Sequence, residues 1–204
     1  PLENQLCSPF SKFLTDLFVG PFPGHGIIMT PPMAEKPAEG DYIVSDAPLE
    51  KWVDWAVGNY ESMLHWSETF QDDAVPYVRG CSGTEFFAMA FGCEAHVHEG
   101  TPPAARPLVH TAKEADRLPQ PALKHPVFER YWSYVDKIRQ RVGPNVPISV
   151  PDIQSPLDIA ALIWNKEDFF IAMHEEPDAA LRLIEKCHRL LKMFLLDFKK
   201  RLPN

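Results

Sequence analysis

VPISVPDIQSPLDIAALIW, residues 146–164, is the stretch that decides the fold of this chain. β-Branched residues at every second position from Val146 predict a strand, which should be short because the prolines between them cannot donate to a ladder. Pro156 then opens an apolar helix, since its missing N–H costs nothing in a first turn. In α/β proteins binding groups collect where a strand ends, so we expect a site in the loop that carries Asp152 and Gln154.

Length and composition indicate one globular domain or a large piece of one. The chain has 204 residues, 45% of them hydrophobic, and a formal net charge of −8. Phosphate binding needs a basic face, and no cationic cluster exceeds residues 199–201, which argues against nucleic acid. No apolar run approaches the roughly 18 residues of a membrane span, and the four cysteines lack C-x-x-C spacing, as is typical of reduced thiols. We therefore predict a soluble, cytoplasmic protein that binds a small molecule and neither nucleic acid nor membrane.

The chain divides into an extension and a larger α/β part. Residues 1–47 contain one short helix candidate and are otherwise broken by prolines and glycines, which predicts a helical and loop extension. Amphipathic patterns predict helices at residues 48–70, 126–142 and 177–202. In the last of these, apolar residues spaced three and four apart form a stripe that includes His188, and the pattern places this histidine in the core.

A second unit of strand, loop and helix lies upstream of the first. Residues 75–78 predict a strand, residues 79–83 a loop of mostly small residues, and residues 84–91 a helix. Alternation of strands and helices favours a mostly parallel sheet. Because a closed (β/α)8 TIM barrel takes about 250 residues, we predict that residues 48–204 are the N-terminal part of such an α/β barrel.

Polar side chains follow both predicted strands, and four of them are candidates for substrate binding. Arg79 has a planar guanidinium suited to a carboxylate, or it forms only a surface ion pair. Two interpretations are open for Asp152: it transfers a proton or orients a ligand beside Gln154, or it only caps the helix that follows. The Cys81 thiol is activated by the loop amides and the helix that follows, or it is a small buried thiol.

His96 and His98 complete the set of candidate substrate-binding residues. If residues 93–98 are extended, both imidazoles lie on one face, as two metal ligands would. A third ligand would have to come from elsewhere, and the competing interpretation is a hydrogen-bonded or solvent-facing pair. We therefore predict no metal ligands within the chain. The motifs G-x-G-x-x-G, G-x-S-x-G, H-E-x-x-H and the P-loop are absent, so cofactors recognised by them have no support.

Several short segments between residues 50 and 200 carry a family resemblance. They are DAVPY (73–77), AFGCE (90–94), the loop 101–107, KEADRLP (113–119), PDIQSPLDIAAL (151–162), EDFF (167–170) and EPD (176–178). Together they resemble the uroporphyrinogen decarboxylase superfamily. The resemblance implies a (β/α)8 barrel with one of two activities: decarboxylation of uroporphyrinogen without a cofactor, or zinc-dependent methyl transfer between corrinoid proteins and small acceptors.

Departures from the family pattern favour the methyltransferase branch. The arginine-rich substrate motif of the decarboxylases has no match in residues 1–49, their essential aspartate falls at Gly83, and their tyrosine falls near Leu162. The resemblance puts the zinc ligands of the methyltransferases, a His-x-Cys pair and a later Cys, in the second half of the barrel and so outside this chain. It also implies a corrinoid as substrate or partner cofactor, and a corrinoid protein as partner.

We therefore predict a uroporphyrinogen-decarboxylase-like enzyme of the methyltransferase type, which acts on a small methylated compound or a corrinoid. True decarboxylation is the less favoured activity. The alternative is a non-catalytic relative that binds a tetrapyrrole or a small carboxylate, because the recognisable catalytic positions are replaced. An incomplete barrel would expose strand edges and apolar helix faces, which either the rest of a longer protein or a second copy in a homodimer would cover.

Overall fold

The structure, a computed structural model, describes residues 16, 17, 19, 24, 26–28, 48–80, 82–96 and 103–202. Most of the predicted extension, together with Cys81 and His98, lies outside the described residues. The described part is a mainly helical α/β protein. Its helices and strands are α1 Leu49–Phe70, α2 Phe86–Ala90, β1 Ala95–His96, β2 Ala104–Ala105, α3 Ala112–Arg117, α4 Pro126–Val142, α5 Pro156–Ile163, α6 Lys166–Glu175 and α7 Pro177–Arg201.

Helices α3 and α5 each begin at a residue whose side chain caps the first turn. Thr111 and Glu114 form a capping box at the start of α3, and Ser155 and Asp158 form one at the start of α5. In each box the first side chain accepts from a backbone N–H that has no partner inside the helix. At the other end of α4, Gly143 adopts a φ of 132°, a conformation that side chains disfavour, and so ends that helix.

The core is built on aromatic rings from three helices. Phe86 of α2 contacts Phe128 and Tyr131 of α4 and Phe194 of α7, with ring centroids 5.3 to 5.6 Å apart and the planes steeply inclined. All four side chains are fully buried. Edge-to-face contacts of this kind stabilise by about 0.5–1.5 kcal/mol beyond the area that they bury, so these rings fix how α2, α4 and α7 pack.

The two segments that the sequence predicts as strands do not form strands in the structure, but one residue of each meets the other in a parallel bridge. Val78 and Ile148 form a parallel bridge: Val78 donates to the carbonyl of Pro147 at 2.8 Å, and Ser149 donates to the carbonyl of Val78 at 2.9 Å. A second parallel bridge joins Val109 to Trp164. Pro76 and Pro147 cannot donate to a ladder, which limits the pairing around Val78 and Ile148,. Trp164 lies between the end of α5 and the start of α6, which leaves no room for a longer strand there.

The expectation of a mostly parallel sheet is not met by the part of the chain that the structure describes. Its two-stranded sheet is an antiparallel hairpin, in which Ala95 of β1 faces Ala105 of β2 and His96 faces Ala104. A barrel, whole or partial, is therefore not shown. The α/β class stands, and the barrel remains a prediction.

The stripe predicted on α7, which runs from Leu181 through His188 to Leu202, is buried only in part: Leu191 and Phe198 are buried. Leu181 is 56% exposed and His188 is exposed, whereas Leu183, Cys187 and Leu190 are buried. The helix is apolar enough on two adjacent faces for either stripe to satisfy the spacing rule, and packing against α3, α5 and α6 selects one of them. The prediction of His188 as a core residue is thus wrong. No helix among the described residues combines the length and the apolar composition that crossing a bilayer requires.

Candidate functional site

Two loops meet at the carboxyl ends of the parallel pair, and we call residues 79–85 and 149–154 the rim loops. The amide of Gly80 donates to the Ser149 hydroxyl at 2.9 Å, and the amide of Asp152 donates to the Ser82 hydroxyl at 2.8 Å. Each loop thus lends a serine side chain to the backbone of the other. The carboxyl ends of parallel strands are the usual place for a binding site in α/β proteins, so the rim loops form the candidate site.

Helix α4 supports both rim loops from one side. The Tyr134 hydroxyl donates to the carbonyl of Arg79 at 2.8 Å, and the Tyr131 hydroxyl donates to the carbonyl of Ser149 at 3.4 Å. Both tyrosines are fully buried. Breaking either hydrogen bond would leave a buried hydroxyl without a partner, which costs free energy. Helix α4 therefore restrains the two loops relative to each other.

The approach of the rim loops requires glycine at position 80. A Cβ atom there would lie 2.8 Å from the carbonyl oxygens of both Ser149 and Val150. These are backbone atoms of the paired strand and cannot turn aside. The glycine therefore permits the close contact from which the site is built.

Asp152 and Gln154 lie together, as the sequence predicts. The Gln154 amide donates to Asp152 Oδ1 at 3.0 Å, and Asp152 is exposed. The alternative that Asp152 caps the next helix is excluded, because Ser155 is the N-cap of α5. The amide instead orients a carboxylate that remains open to a ligand.

Arg79 is exposed at the start of the first rim loop. Within the described part of the chain no carboxylate forms an ion pair with its guanidinium. The alternative of a surface ion pair thus has no partner among these residues. Its planar group of donors suits a carboxylate or a phosphate of a ligand.

Sequence reasoning missed Glu85, which ends the first rim loop. This glutamate is 0% exposed, and neither carboxyl oxygen has a hydrogen-bond partner of normal geometry among the described residues. Burial raises its pKa to about 7; the nearby amides of Glu85 and Gly83 lower it, and the charge of Asp152 raises it further. A carboxyl group in this setting keeps its proton close to neutral pH.

The carboxyl group of Glu85 lies against Gly83. A Cβ at position 83 would overlap Glu85 Oε2 and lie 3.0 Å from its Cδ. The Glu85 carboxyl therefore occupies the space that a side chain at position 83 would enter. The signal in the sequence was one acidic residue in the otherwise uncharged stretch 80–93.

The histidine pair is only half described, because His98 lies outside the described residues. His96 is half-buried in the β-hairpin, and its Nδ1 lies 3.0 Å from Arg106 Nη2. This contact agrees with the hydrogen-bonded interpretation of His96. Cys81, between Gly80 and Ser82, is likewise outside the described part, so its place in the site stays a prediction.

The described residues do not fit a metal ion. Nowhere among them do three His, Cys, Asp or Glu side chains come close enough to ligate one. Zinc normally takes at least three protein ligands. Zinc is therefore a prediction about residues beyond those described, and no chemistry of the rim loops is derived from it.

The fold and the site define an α/β protein with polar side chains at the ends of parallel strands. The sequence pattern of the family described as Uroporphyrinogen decarboxylase (URO-D) matches residues 68–200, more than half of the chain. The chain therefore belongs to the uroporphyrinogen decarboxylase family. No curated protein sequence matches it.

Among solved structures, the chain is similar to a methyltransferase from Methanosarcina mazei. The TM-score is 0.55 at 19% sequence identity, and the match covers 79% of this chain and 48% of the other. This likeness shows a common fold. The chain spans about half the length of the methyltransferase.

Proposed function

We propose that this chain is part of a methyltransferase that moves a methyl group between a small methylated compound and a corrinoid. The observation that carries the proposal is the likeness of fold, over 79% of this chain, to a methyltransferase from Methanosarcina mazei, together with the membership of this chain in the uroporphyrinogen decarboxylase family. The rim loops support it, because they offer oriented polar groups for a small polar substrate at the strand ends.

The finer parts of this proposal concern the whole protein. We infer that residues 48–204 are the N-terminal part of a (β/α)8 barrel and that residues 1–47 are an extension. Zinc, if used, takes ligands outside the described residues, and a corrinoid protein is the expected partner. A homodimer and a location in the cytoplasm remain predictions that follow from the sequence.

Methyl transfer to free cob(I)alamin tests the proposal. The natural protein would be mixed with cob(I)alamin and a panel of methyl ethers and methylamines, and formation of methylcobalamin followed by absorbance. The expected result is transfer from at least one donor, with zinc measured in the same sample by mass spectrometry. Decarboxylation of uroporphyrinogen together with no methyl transfer would contradict the proposal.

Arg79, which has no ion-pair partner among the described residues, favours a second candidate, a non-catalytic protein that binds a carboxylate or a tetrapyrrole. An exposed guanidinium with no described partner is available to a carboxylate ligand,. Titration calorimetry with uroporphyrin distinguishes the two candidates. Binding that is lost in Arg79→Gln, in a protein that transfers no methyl group, supports the binder.

A further inference from the structure

Glu85, in the first rim loop, is a buried carboxylic acid that has no hydrogen-bond partner of normal geometry among the described residues. Its side chain is 0% exposed, and its carboxyl oxygens make no normal hydrogen bond to the described residues. Leaving a buried polar group unpaired costs about 1–3 kcal/mol. A buried polar group left unpaired at such a cost calls for an explanation, such as a catalytic role or a bound water or ion.

The surroundings of Glu85 and Asp152 differ, although both carboxyl groups belong to the rim loops. Asp152 is exposed, and its Oδ1 accepts a hydrogen bond from the Gln154 amide. Glu85 is enclosed next to Gly83, and among the described residues the charged group that acts on it is Asp152. A buried carboxyl group that keeps its proton near neutral pH can act as a general acid.

We infer that Glu85 is the proton donor of the site and that it protonates the oxygen or nitrogen atom from which the methyl group leaves. This inference rests on the proposed methyl transfer and narrows it to donors that are methyl ethers or methylamines. Such donors need a proton, because an alkoxide or an amide anion is a poor leaving group. Methyl transfer from a corrinoid to a thiol would instead need a base, because the thiol must lose its proton to become the nucleophile.

The step balances as follows for a methyl ether and cob(I)alamin. The electron pair of the reduced corrinoid forms a bond to the methyl carbon, and the carbon–oxygen bond breaks with its pair on oxygen. The Glu85 O–H proton passes to that oxygen, which leaves as an alcohol. Glu85 remains as a carboxylate and regains its proton from water.

The leaving group provides the test. Methyl transfer to cob(I)alamin would be measured for the natural protein, Glu85→Gln and Glu61→Gln, the last being an exposed glutamate of α1. Two donors would be compared: anisole, whose phenoxide needs a proton, and 4-nitroanisole, whose nitrophenoxide leaves without one. General acid catalysis is typically worth about 10²–10⁴-fold.

The expected result is a loss of at least about 100-fold in kcat for Glu85→Gln with anisole, and less than about 10-fold with 4-nitroanisole. Activity with 4-nitroanisole also proves that the variant folds. Glu61→Gln should match the natural protein with both donors. Equal losses of Glu85→Gln with both donors, or none, overturn the inference. Absence of methyl transfer in the natural protein overturns the proposed function and the inference with it.

Discussion

At the scale of single residues, burial changes the pKa of Glu85 in a way that the neighbouring sequence does not predict. In the sequence it stands before two phenylalanines, at the start of an apolar helix. An acidic residue there is ordinarily a favourable partner of the helix dipole. In the fold it is fully buried against Gly83, and its pKa rises to about 7.

This shift predicts that Glu85 makes stability depend on pH. Folded Glu85 holds its proton up to about pH 7, whereas in the unfolded chain the carboxyl ionises above about pH 4.5. Its contribution is therefore fully present below pH 4.5 and lost as the pH rises through 7. Glu85→Gln, which cannot ionise, should match the natural protein at pH 4 and be more stable by about 3 kcal/mol at pH 8.

Urea unfolding between pH 4 and pH 8 measures this difference in the free energy of unfolding. Glu61→Gln, at an exposed glutamate of α1, is measured in parallel as the matched control. A Glu85→Gln effect of constant size across the range would show that the carboxyl does not titrate between these limits.

Lys186 predicts a second effect of a single side chain. Its ammonium group donates to the carbonyls of Ala115, Asp116 and Leu118, at 2.8 to 3.2 Å, and so completes the end of α3 from the neighbouring helix α7. Lys186→Met keeps the apolar stem but removes these bonds. It should lower the free energy of unfolding by about 1–3 kcal/mol, measured by urea denaturation. The exposed Lys192→Met on the same helix should change it by less than about 0.5 kcal/mol.

At the scale of elements, two glycines give opposite predictions. Gly80→Ala would force a Cβ to 2.8 Å from backbone carbonyls of the paired strand, whereas at Gly58, inside α1, nothing lies within 4 Å. Gly80→Ala should therefore destabilise by about 1–3 kcal/mol, and Gly58→Ala should stabilise by about 0.5–1 kcal/mol. Thermal unfolding compares them. A neutral Gly80→Ala would show that the rim loops are not in close contact.

The boundaries of the elements were predictable because capping is local chemistry. Pro156 marks a helix start that the structure confirms. The buried face of α7 was only partly predictable. A stripe through Leu181 and a stripe through Leu183 both have apolar residues spaced three and four apart. Only the neighbouring helices distinguish them, and Leu183 is the one that is buried.

At the scale of the whole molecule, the proposed barrel makes a prediction about Val150. This side chain ends the second parallel strand and is 42% exposed. If further strands continue the sheet in the natural protein, they cover it. Val150→Asp should then lower the free energy of unfolding by about 2 kcal/mol or more, because a buried charge without a partner is costly.

Leu196→Asp provides the comparison, since Leu196 is 62% exposed on α7, away from the parallel strands. It should change the free energy of unfolding of the natural protein by less than about 0.5 kcal/mol. If Val150→Asp is equally mild, no further strand covers this edge, and the prediction of a partial barrel fails.

The sequence by itself determined the positions of most helices, the two segments that meet in a parallel bridge, and the loop of Asp152 and Gln154. These features depend on residues close together in the chain: caps, prolines and apolar periods. Tertiary structure alone decided that the amide of Asp152 meets Ser82 and that Glu85 is buried beside Gly83. Such contacts depend on how distant segments pack and on how much water remains, which no local pattern specifies.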